Sequence, residues 1–234
     1  MFEKLAQMMQ NLQNSQNPFD PAQFGDPIAV QTDWKPIKGG GSNIRTYKLV
    51  KVNPYRVKFR STIGAIIFAL IFALPGTGLL ILLIPNIDWS SIDGGIAIGL
   101  LLGLVFASLG WYMFFRQMRP FVFDKQEGFI WKGRKPQAEM RAYETTDKYV
   151  WLESVHALQV IAEYISGKGG GYYSYELNLV LKNGNRINIV DHGCRKKLAE
   201  DAEVLGEFLG VPVWDATALN RPPEDPLSAT TGRI

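Results

Sequence analysis

The chain has 234 residues but a single cysteine, Cys194, and only two histidines, His156 and His192. One cysteine excludes an intramolecular disulfide framework and any zinc site built from paired cysteines. Two histidines argue against a metal site of any kind, and none is expected. Charge is missing from two long stretches. Residues 61–84, "STIGAIIFALIFALPGTGLLILLI", and 94–115, "GGIAIGLLLGLVFASLGWYMFF", contain no Asp, Glu, Lys, Arg or His. The segment between them, "PNIDWSSID", lacks Lys and Arg altogether. The first residues lack the basic start and apolar core of a cleavable signal, so the N-terminus is expected to be retained. The net charge is only +3, and no basic stripe interleaved with aromatics occurs away from the apolar stretches, so no nucleic-acid partner is expected.

What is present begins with those apolar runs. A hydrocarbon core of about 30 Å takes roughly 20 helical residues, and both runs reach that length, so 61–84 and 94–115 read as transmembrane helices. Pro75 with Gly76 and Gly78 interrupts the first and predicts a kink near Leu74. The second contains Gly99 and Gly103 at the spacing that lets helices approach closely. That small face serves either the hairpin within one chain, the favoured reading, or a homo-oligomer. No charged or strongly polar residue interrupts either run, which argues against a transporter or proton path. Lys and Arg cluster before the first span (Arg45, Lys48, Lys51, Arg56, Lys58, Arg60) and after the second (Arg116, Arg119, Lys125, Lys132, Arg134, Lys135). The positive-inside rule then places both termini in the cytoplasm, with Trp89 at the outer interface and Trp111, Tyr112, Phe114 and Phe115 at the inner one. Basic membrane edges suit anionic headgroups.

Periodicity divides the remainder. "MFEKLAQMMQNLQNSQ" sets Phe2, Leu5, Met8, Met9 and Leu12 on one helical face, so residues 1–28 read as an amphipathic helix and linker. Residues 29–60 are β-rich. After the second span, 116–215 forms one cytoplasmic domain. "FVFDKQEGFIWKG" predicts two short strands around Gln126-Glu127-Gly128, "AEMRAYE" a further strand, and 157–165 another. "YYSYELNLVLKNGNRINIVD" predicts a hairpin with a type I′ turn at Asn183-Gly184. "CRKKLAEDAEVLGEFLG" is a helix with Leu198, Ala202, Leu205 and Leu209 on one face, stopping at Gly210. Residues 216–234 are polar, Pro-rich and expected to be disordered. The fold class is therefore a membrane α-helical hairpin plus an α+β domain of antiparallel strands with a closing C-terminal helix.

Two strings, "IKGGGSN" at 37–43 and "SGKGGGYYSYE" at 166–176, suggest phosphate cradles. Gly167-Lys168 fails the test. Ala162 stands where the first glycine of a Walker loop belongs, Gly169 replaces the hydroxyl, and a strand follows instead of a helix. A strand-connecting loop remains, with Lys168 as a candidate contact for a lipid headgroup or a partner. "DHGCRKK" is the second cluster. Cys194 beside Arg195, Lys196 and Lys197 has the surroundings of a lowered thiol pKa, and His192 is two residues away as a base. The simpler reading is that Asp191 or His192 caps the helix. Three cations in the first helical turn oppose the macrodipole, so Arg195, Lys196 and Lys197 are candidates to contact an external anion. His156 sits among apolar residues, as a packed or hydrogen-bonded histidine does. Glu153, Glu163 and Glu176 define no acid/base pair, and no catalytic residue is assigned. Tyr164, Tyr172, Tyr173 and Tyr175 suit a peptide-contacting surface.

"FDKQEGFIWKGRK", the Leu152–Ile161 segment, "YELNLVLKNGNRINIV" and the closing "LAEDAEVLGEFLGVPVWD" together resemble uncharacterised bacterial membrane proteins with two N-terminal spans and a PH-like cytoplasmic domain. The photosystem I assembly protein family is similar in plan, and its own motifs do not appear here. The resemblance implies a PH-like antiparallel split barrel closed by the C-terminal helix, in a bacterial cytoplasmic membrane. The expected function is a non-enzymatic membrane adaptor or assembly factor without cofactors, presenting that domain to a protein partner. The alternatives are a sensor of anionic lipid headgroups through Lys168, Arg195, Lys196 and Lys197, and a membrane thiol enzyme using Cys194.

Overall fold

A computed structural model of the chain describes residues 19–87, 92–133, 135, 149–167 and 170–217. In chain order these form helix α1 (Pro27–Gln31), strands β1 (Tyr47–Asn53) and β2 (Arg56–Ser61), and the long helices α2 (Ile63–Leu83) and α3 (Gly94–Gln117). Strands β3 (Phe121–Asp124), β4 (Phe129–Lys132), β5 (Tyr149–Trp151), β6 (Val155–Gly167), β7 (Gly170–Leu181) and β8 (Arg186–His192) follow, then helix α4 (Arg195–Leu209) and strand β9 (Val213–Asp215). The N-terminal helix expected over 1–16, Trp89, the strand expected at 138–144 and the tail from 218 lie outside the described residues. The chain divides into two compact units, Ile44–Glu153 and Met1–Asn43 with Ser154–Ile234. The linear segments 29–60 and 116–215 are thus each shared between the units.

In the Ile44–Glu153 unit, α2 and α3 begin on side chains that satisfy the orphan N–H groups of a helix start. Thr62 Oγ1 accepts from Ala65 N–H at 3.3 Å, and Asp93 Oδ1 accepts from Ile96 N–H at 2.9 Å. Helix α2 runs without a break through Pro75. The two helices pack through small residues: Ala65, Ala69, Ala73 and Gly76 are buried on one, Gly103, Ala107 and Gly110 on the other. A Cβ on Gly76 would meet the backbone of Ala107, and one on Gly110 the backbone of Ala73. Gly99 faces Leu83 and Gly103 faces Leu80, so the small face lies against α2 within one chain. One polar pair crosses the seam: Trp111 Nε1–H donates to Thr77 Oγ1 at 3.0 Å, and the Thr77 hydroxyl donates to the Ala73 carbonyl at 2.7 Å.

The hairpin is an insertion between neighbouring strands. The sheet of this unit has the order β1-β2-β3-β4-β5, antiparallel throughout. α2 leaves from the end of β2, and α3 returns to the start of β3, the strand paired with β2. The Ser61 hydroxyl donates to the Gln117 carbonyl and ties the end of α3 to the end of β2. Val57, Phe123, Ile130 and Val150 form a buried row across the sheet. The expected Gln126-Glu127-Gly128 turn forms under Asp124, which pairs with Arg56 and accepts from the N–H groups of Gln126 (2.9 Å) and Glu127 (3.2 Å).

The second unit has a four-stranded sheet of order β8-β7-β6-β9. Strand β9, absent from the sequence reading, pairs with β6 in parallel. The hairpin loop at Asn183-Gly184 differs from the expected type I′ turn. Among the described residues no non-glycine has a positive φ, so Asn183 cannot occupy a type I′ position. Instead Gly184 alone is left-handed (φ 79°) and donates to the Leu181 carbonyl, while Leu181 N–H donates to Asn185, a three-residue loop with a glycine bulge. Adjacent residues of β6 show the two faces of the sheet. Leu158 lies toward α4, where Leu198, Ala202 and Leu205 are buried, whereas Ala157 clusters with Ala29, Val180 and Trp214 under the N-terminal segment. The described strands form two sheets and do not close into one barrel.

Candidate functional site

On the α1 face of the second unit the sheet carries a row of polar side chains. Strand alternation puts Ser174, Glu176 and Asn178 of β7 on this face, and register places Gln159 of β6 and Asn188 of β8 on either side of Asn178. Such a polar set normally faces water, yet Gln159 and Asn178 are 0% and Glu176 4% exposed. The cover is the chain's own segment 33–43, held almost wholly through its main chain. Gln159 Nε2 donates to the Asp33 carbonyl (3.1 Å) and Arg186 Nη1 to that of Lys35 (2.8 Å). Glu176 accepts the N–H groups of Ile37 (2.9 Å) and Lys38 (3.3 Å). Glu163 accepts from Gly40 N–H (3.4 Å), the Tyr172 hydroxyl donates to the Gly41 carbonyl (2.9 Å), and the Ser174 hydroxyl to that of Ser42 (3.3 Å).

A bulge arms the centre of this row. The β7–β8 register pairs Glu176 with Asp191 and Asn178 with Asn188, leaving one extra residue between Val190 and Asn188. In a regular strand Asn188 and Asp191, three residues apart, would point to opposite faces; the bulge re-aims them. The Asn188 amide donates to Glu176 Oε1 at 2.8 Å and to Asp191 Oδ1 at 2.7 Å, bridging two carboxylates. Burial pushes the Glu176 carboxyl up, the nearby Asp191 charge adds to that, and the donors from Ile37, Asn178 and Lys38 do not fully offset it. Its pKa therefore lies above the ordinary glutamate value.

The first K-G-G-G string belongs to this clasp. Gly40 is left-handed (φ 81°), and a Cβ on Gly41 would strike the Ser174 side chain, so the glycines turn the segment and press it onto the sheet. Farther along, Asp26 accepts from His156 Nε2 at 2.7 Å, and the His156 ring stands edge-on to Trp214 at 5.7 Å. Burial raises the Asp26 carboxyl, but the His156 bond and the N–H groups of Ile28 and Ala29 outweigh it and hold its pKa below the ordinary value. Phe24 stacks on Trp34, which stacks obliquely with Trp214, over Ala157 and Val180.

Of the sequence-nominated cations, Arg195, Lys196 and Lys197 lie among the described residues. Lys168 lies outside the described residues. Arg195 Nε donates to Thr217 Oγ1 at 2.8 Å, and its Nη2 lies 3.8 Å from Asp215, fastening the start of α4 to the end of β9. Lys197 pairs with Glu200 at 2.7 Å on the helix surface, and Lys196 is exposed. The expected cap is also revised. Cys194 itself is the N-cap and makes no side-chain cap bond, while His192 Nδ1 accepts the Cys194 N–H at 3.2 Å. Neither Asp191 nor His192 occupies the cap position. His192 is fully buried, and a Cβ on Gly193 would meet the Asn43 backbone, which docks this loop on the end of the clasped segment. Among the described residues no three His, Cys, Asp or Glu side chains converge on a metal-sized site.

Sequence reasoning noted Glu163 and Glu176 only as isolated carboxylates and passed over Gln159, Asn178, Arg186 and Asn188. Their signal, a polar residue at every second position of "SYELN", also describes a solvated strand face.

No family model matches this chain, and neither the curated proteins nor the solved structures contain a match to it. What the fold defines is a pair of helices long and apolar enough to cross a membrane, combined with two mainly antiparallel sheets and a C-terminal helix.

Proposed function

We propose that the chain is an integral membrane adaptor or assembly factor without catalytic activity, anchored by α2 and α3 with its sheet-rich parts on the cytoplasmic side. The observation that carries the anchoring is the outer surface of the helical hairpin. Ile63, Ile71, Leu82, Ile98, Leu101 and Leu104 are all more than half exposed. Water-soluble proteins seldom expose a continuous apolar surface of this kind, and the small residues that would tolerate water are the ones buried. The PH-like reading of the sheet-rich part is supported by the β6–β7–β8 meander running directly into α4. Partner binding is supported by how that sheet holds residues 33–43, through main-chain groups that any extended peptide offers.

The non-enzymatic reading is supported by the partners of three side chains that the sequence offered: His192 Nδ1 accepts the Cys194 N–H, His156 pairs with Asp26, and Arg195 donates to Thr217. Alkaline carbonate treatment of membranes expressing the full chain is expected to leave it in the pellet. Crosslinking in those membranes, then purification and mass spectrometry, is expected to return a stoichiometric protein partner whose capture survives Cys194→Ala. Release by carbonate contradicts the anchoring, and loss of capture in folded Cys194→Ala contradicts the non-enzymatic reading.

A further inference from the structure

The second K-G-G-G string runs into a row of tyrosines. Register and strand alternation set Tyr164 of β6 opposite Tyr173 of β7, with Tyr175 two residues on, all on the sheet face that carries Leu158 and Leu179 beneath α4. The Tyr164 and Tyr173 rings lie 5.1 Å apart, and Tyr173 and Tyr175 stack at 6.4 Å. Gly171, the last glycine of the string, makes room for the row. A Cβ there would strike the hydroxyl end of Tyr164, so that ring lies along β7 over a residue without a side chain. Helix α4 starts at the level of Tyr175, the strand partner of His192, and runs away from the row to where a Cβ on Gly206 would meet Leu158. Burial pushes the Tyr175 hydroxyl up against the pull of the nearby Arg195 charge. Tyr164 stands past the start of the helix and is 39% exposed.

The last described residues lead toward this row. Strand β9 pairs with β6 in parallel, from Leu158 beside Val213 to Val160 beside Asp215, and Ala216 N–H donates to the Val160 carbonyl at 2.9 Å. The chain therefore leaves β9 travelling the way β6 travels, from Val160 toward Tyr164. Thr217, buried, is held at the start of α4 by Arg195. Along β6, Tyr164 lies about 13 Å beyond Val160. Residues 218–234 follow Thr217 and contain "RPPEDP" at 221–226. Pro223 and Pro226 have Pro-x-x-Pro spacing, and Pro222 precedes them. Such a run favours the polyproline II helix, which rises about 3.1 Å per residue. An extended chain from Thr217 to Pro222 spans about 16 Å, enough to set these prolines beside Tyr164.

We propose that the chain's own Pro222–Pro226 segment docks in polyproline II form on Tyr164 and Tyr173. Aromatic-lined surfaces hold Pro-rich segments because proline rings pack flat on aromatic rings, and a preformed helix loses little entropy on docking. Charge supports the same seat: Glu224 and Asp225, between the prolines, are opposite in sign to Lys196, exposed on the first turn of α4. The site lies within the unit that carries β6 to β9 and is independent of the membrane reading.

The test uses the full chain in a Cys194→Ser background, purified in a non-ionic detergent. Ser166→Cys, on the Tyr164 face at the end of β6, is combined with Leu227→Cys just past Pro226, and disulfide formation under mild oxidation is followed on non-reducing gels. Docking carries position 227 toward that end of β6. An intramolecular disulfide is therefore expected about tenfold faster than in a Ser166→Cys, Thr231→Cys control, a preference of about 1.4 kcal/mol. Replacing Pro222, Pro223 and Pro226 together by alanine leaves the sheet unaltered and is expected to lower the rate at 227 to that at 231. Tyr164→Ala is expected to slow it comparably and Tyr164→Phe to preserve it, which separates a lost ring from a misfolded sheet. Equal rates at 227 and 231, or a rate unmoved by loss of the prolines or of the Tyr164 ring, would overturn the proposal. So would a disulfide that joins two chains, which would seat a second copy's tail on the tyrosines instead.

Discussion

In the Ile44–Glu153 unit the large side chains of the long helices point outward, with Leu82 69% and Ile63 66% exposed, while Ala69 and Ala73 are fully buried. In the other unit the sheet buries Gln159, Asn178 and His192 completely. Each arrangement inverts the usual rule for a protein in water. The hairpin inverts it because its solvent is read as lipid, where exposed leucine costs nothing and close backbone approach supplies the attraction. The clasped sheet inverts it because a second piece of chain brings hydrogen-bond partners for Gln159 and Glu176, while Asn178 and Asn188 bond to their neighbours within the row. The same sequence thus uses two different surroundings to justify two different exceptions.

The comparison breaks most visibly at the helix seam. Gly110→Leu drives a side chain into the Ala73 backbone and is expected to cost about 3 kcal/mol by overpacking, measured by thermal unfolding in micelles. Leu101→Ala, on the outward surface, is expected to change the same midpoint little. Comparable losses in both would mean that the outward surface is packed against protein.

Next in size is the clasp. Glu176→Ala strands the N–H groups of Ile37 and Lys38 beneath the segment they anchor. The expected cost is on the order of 2 kcal/mol, read as roughly 30-fold faster hydrogen exchange at those two amides. Unchanged exchange there would show that the segment is held without the carboxylate.

The pH dependence of stability sharpens the contrast between Glu176 in the clasp and Asp26 at the start of α1. Glu176 has a folded pKa above its unfolded value, so protonation favours the folded state. Its contribution to stability is fully present below about 4.3 and is lost as pH rises through the folded value. Asp26 behaves oppositely: its folded pKa is lowered, so its contribution is present above about 3.9 and is lost as pH falls through the folded value. Denaturant unfolding of Glu176→Gln across this range is expected to lose the decline with rising pH, and of Asp26→Asn to lose the decline on acidification. A wild-type profile retained by both variants would rule out this assignment.

The smallest effect concerns the β7–β8 loop. Gly184→Ala forces a left-handed alanine and is expected to cost about 1 kcal/mol, whereas Asn183→Ala is expected to cost less, because Asn183 does not share that conformation. Chemical denaturation of the two variants reads the difference.

How much of this was legible in the sequence depended on the distance over which each feature is encoded. The two apolar helices are written in uninterrupted composition, and the observed Ile63–Leu83 and Gly94–Gln117 nearly coincide with 61–84 and 94–115. Strands β3, β4, β7 and β8 and helix α4 follow from period and turn residues within a few positions of one another. The clasp is not local. Ile37 meets Glu176 at a separation of 139 residues, and nothing around "SYELN" distinguishes a strand face wetted by solvent from one covered by a distant segment. The bulge that turns Asn188 toward Asp191 is equally silent, since one unpaired residue leaves the alternation of "NRINIVD" looking regular. Arg119 and Lys132 stood in the sequence only as two of the cations flanking a span. They come near one another only through the β3–β4 pairing, which sets Lys132 opposite Phe121 and Gly133 against the Arg119 stem.

The central claim, that the hairpin crosses a membrane and leaves the sheets on its cytoplasmic face, is tested most directly by site-specific thiol labelling. In a Cys194→Ser background, single cysteines replace Ser90 between the spans and Lys51 on β1, and intact cells are treated with a membrane-impermeant maleimide. The account predicts that the cysteine at 90 is labelled from outside and the one at 51 only after permeabilisation. Labelling of both, or of 51 alone, in intact cells would contradict it.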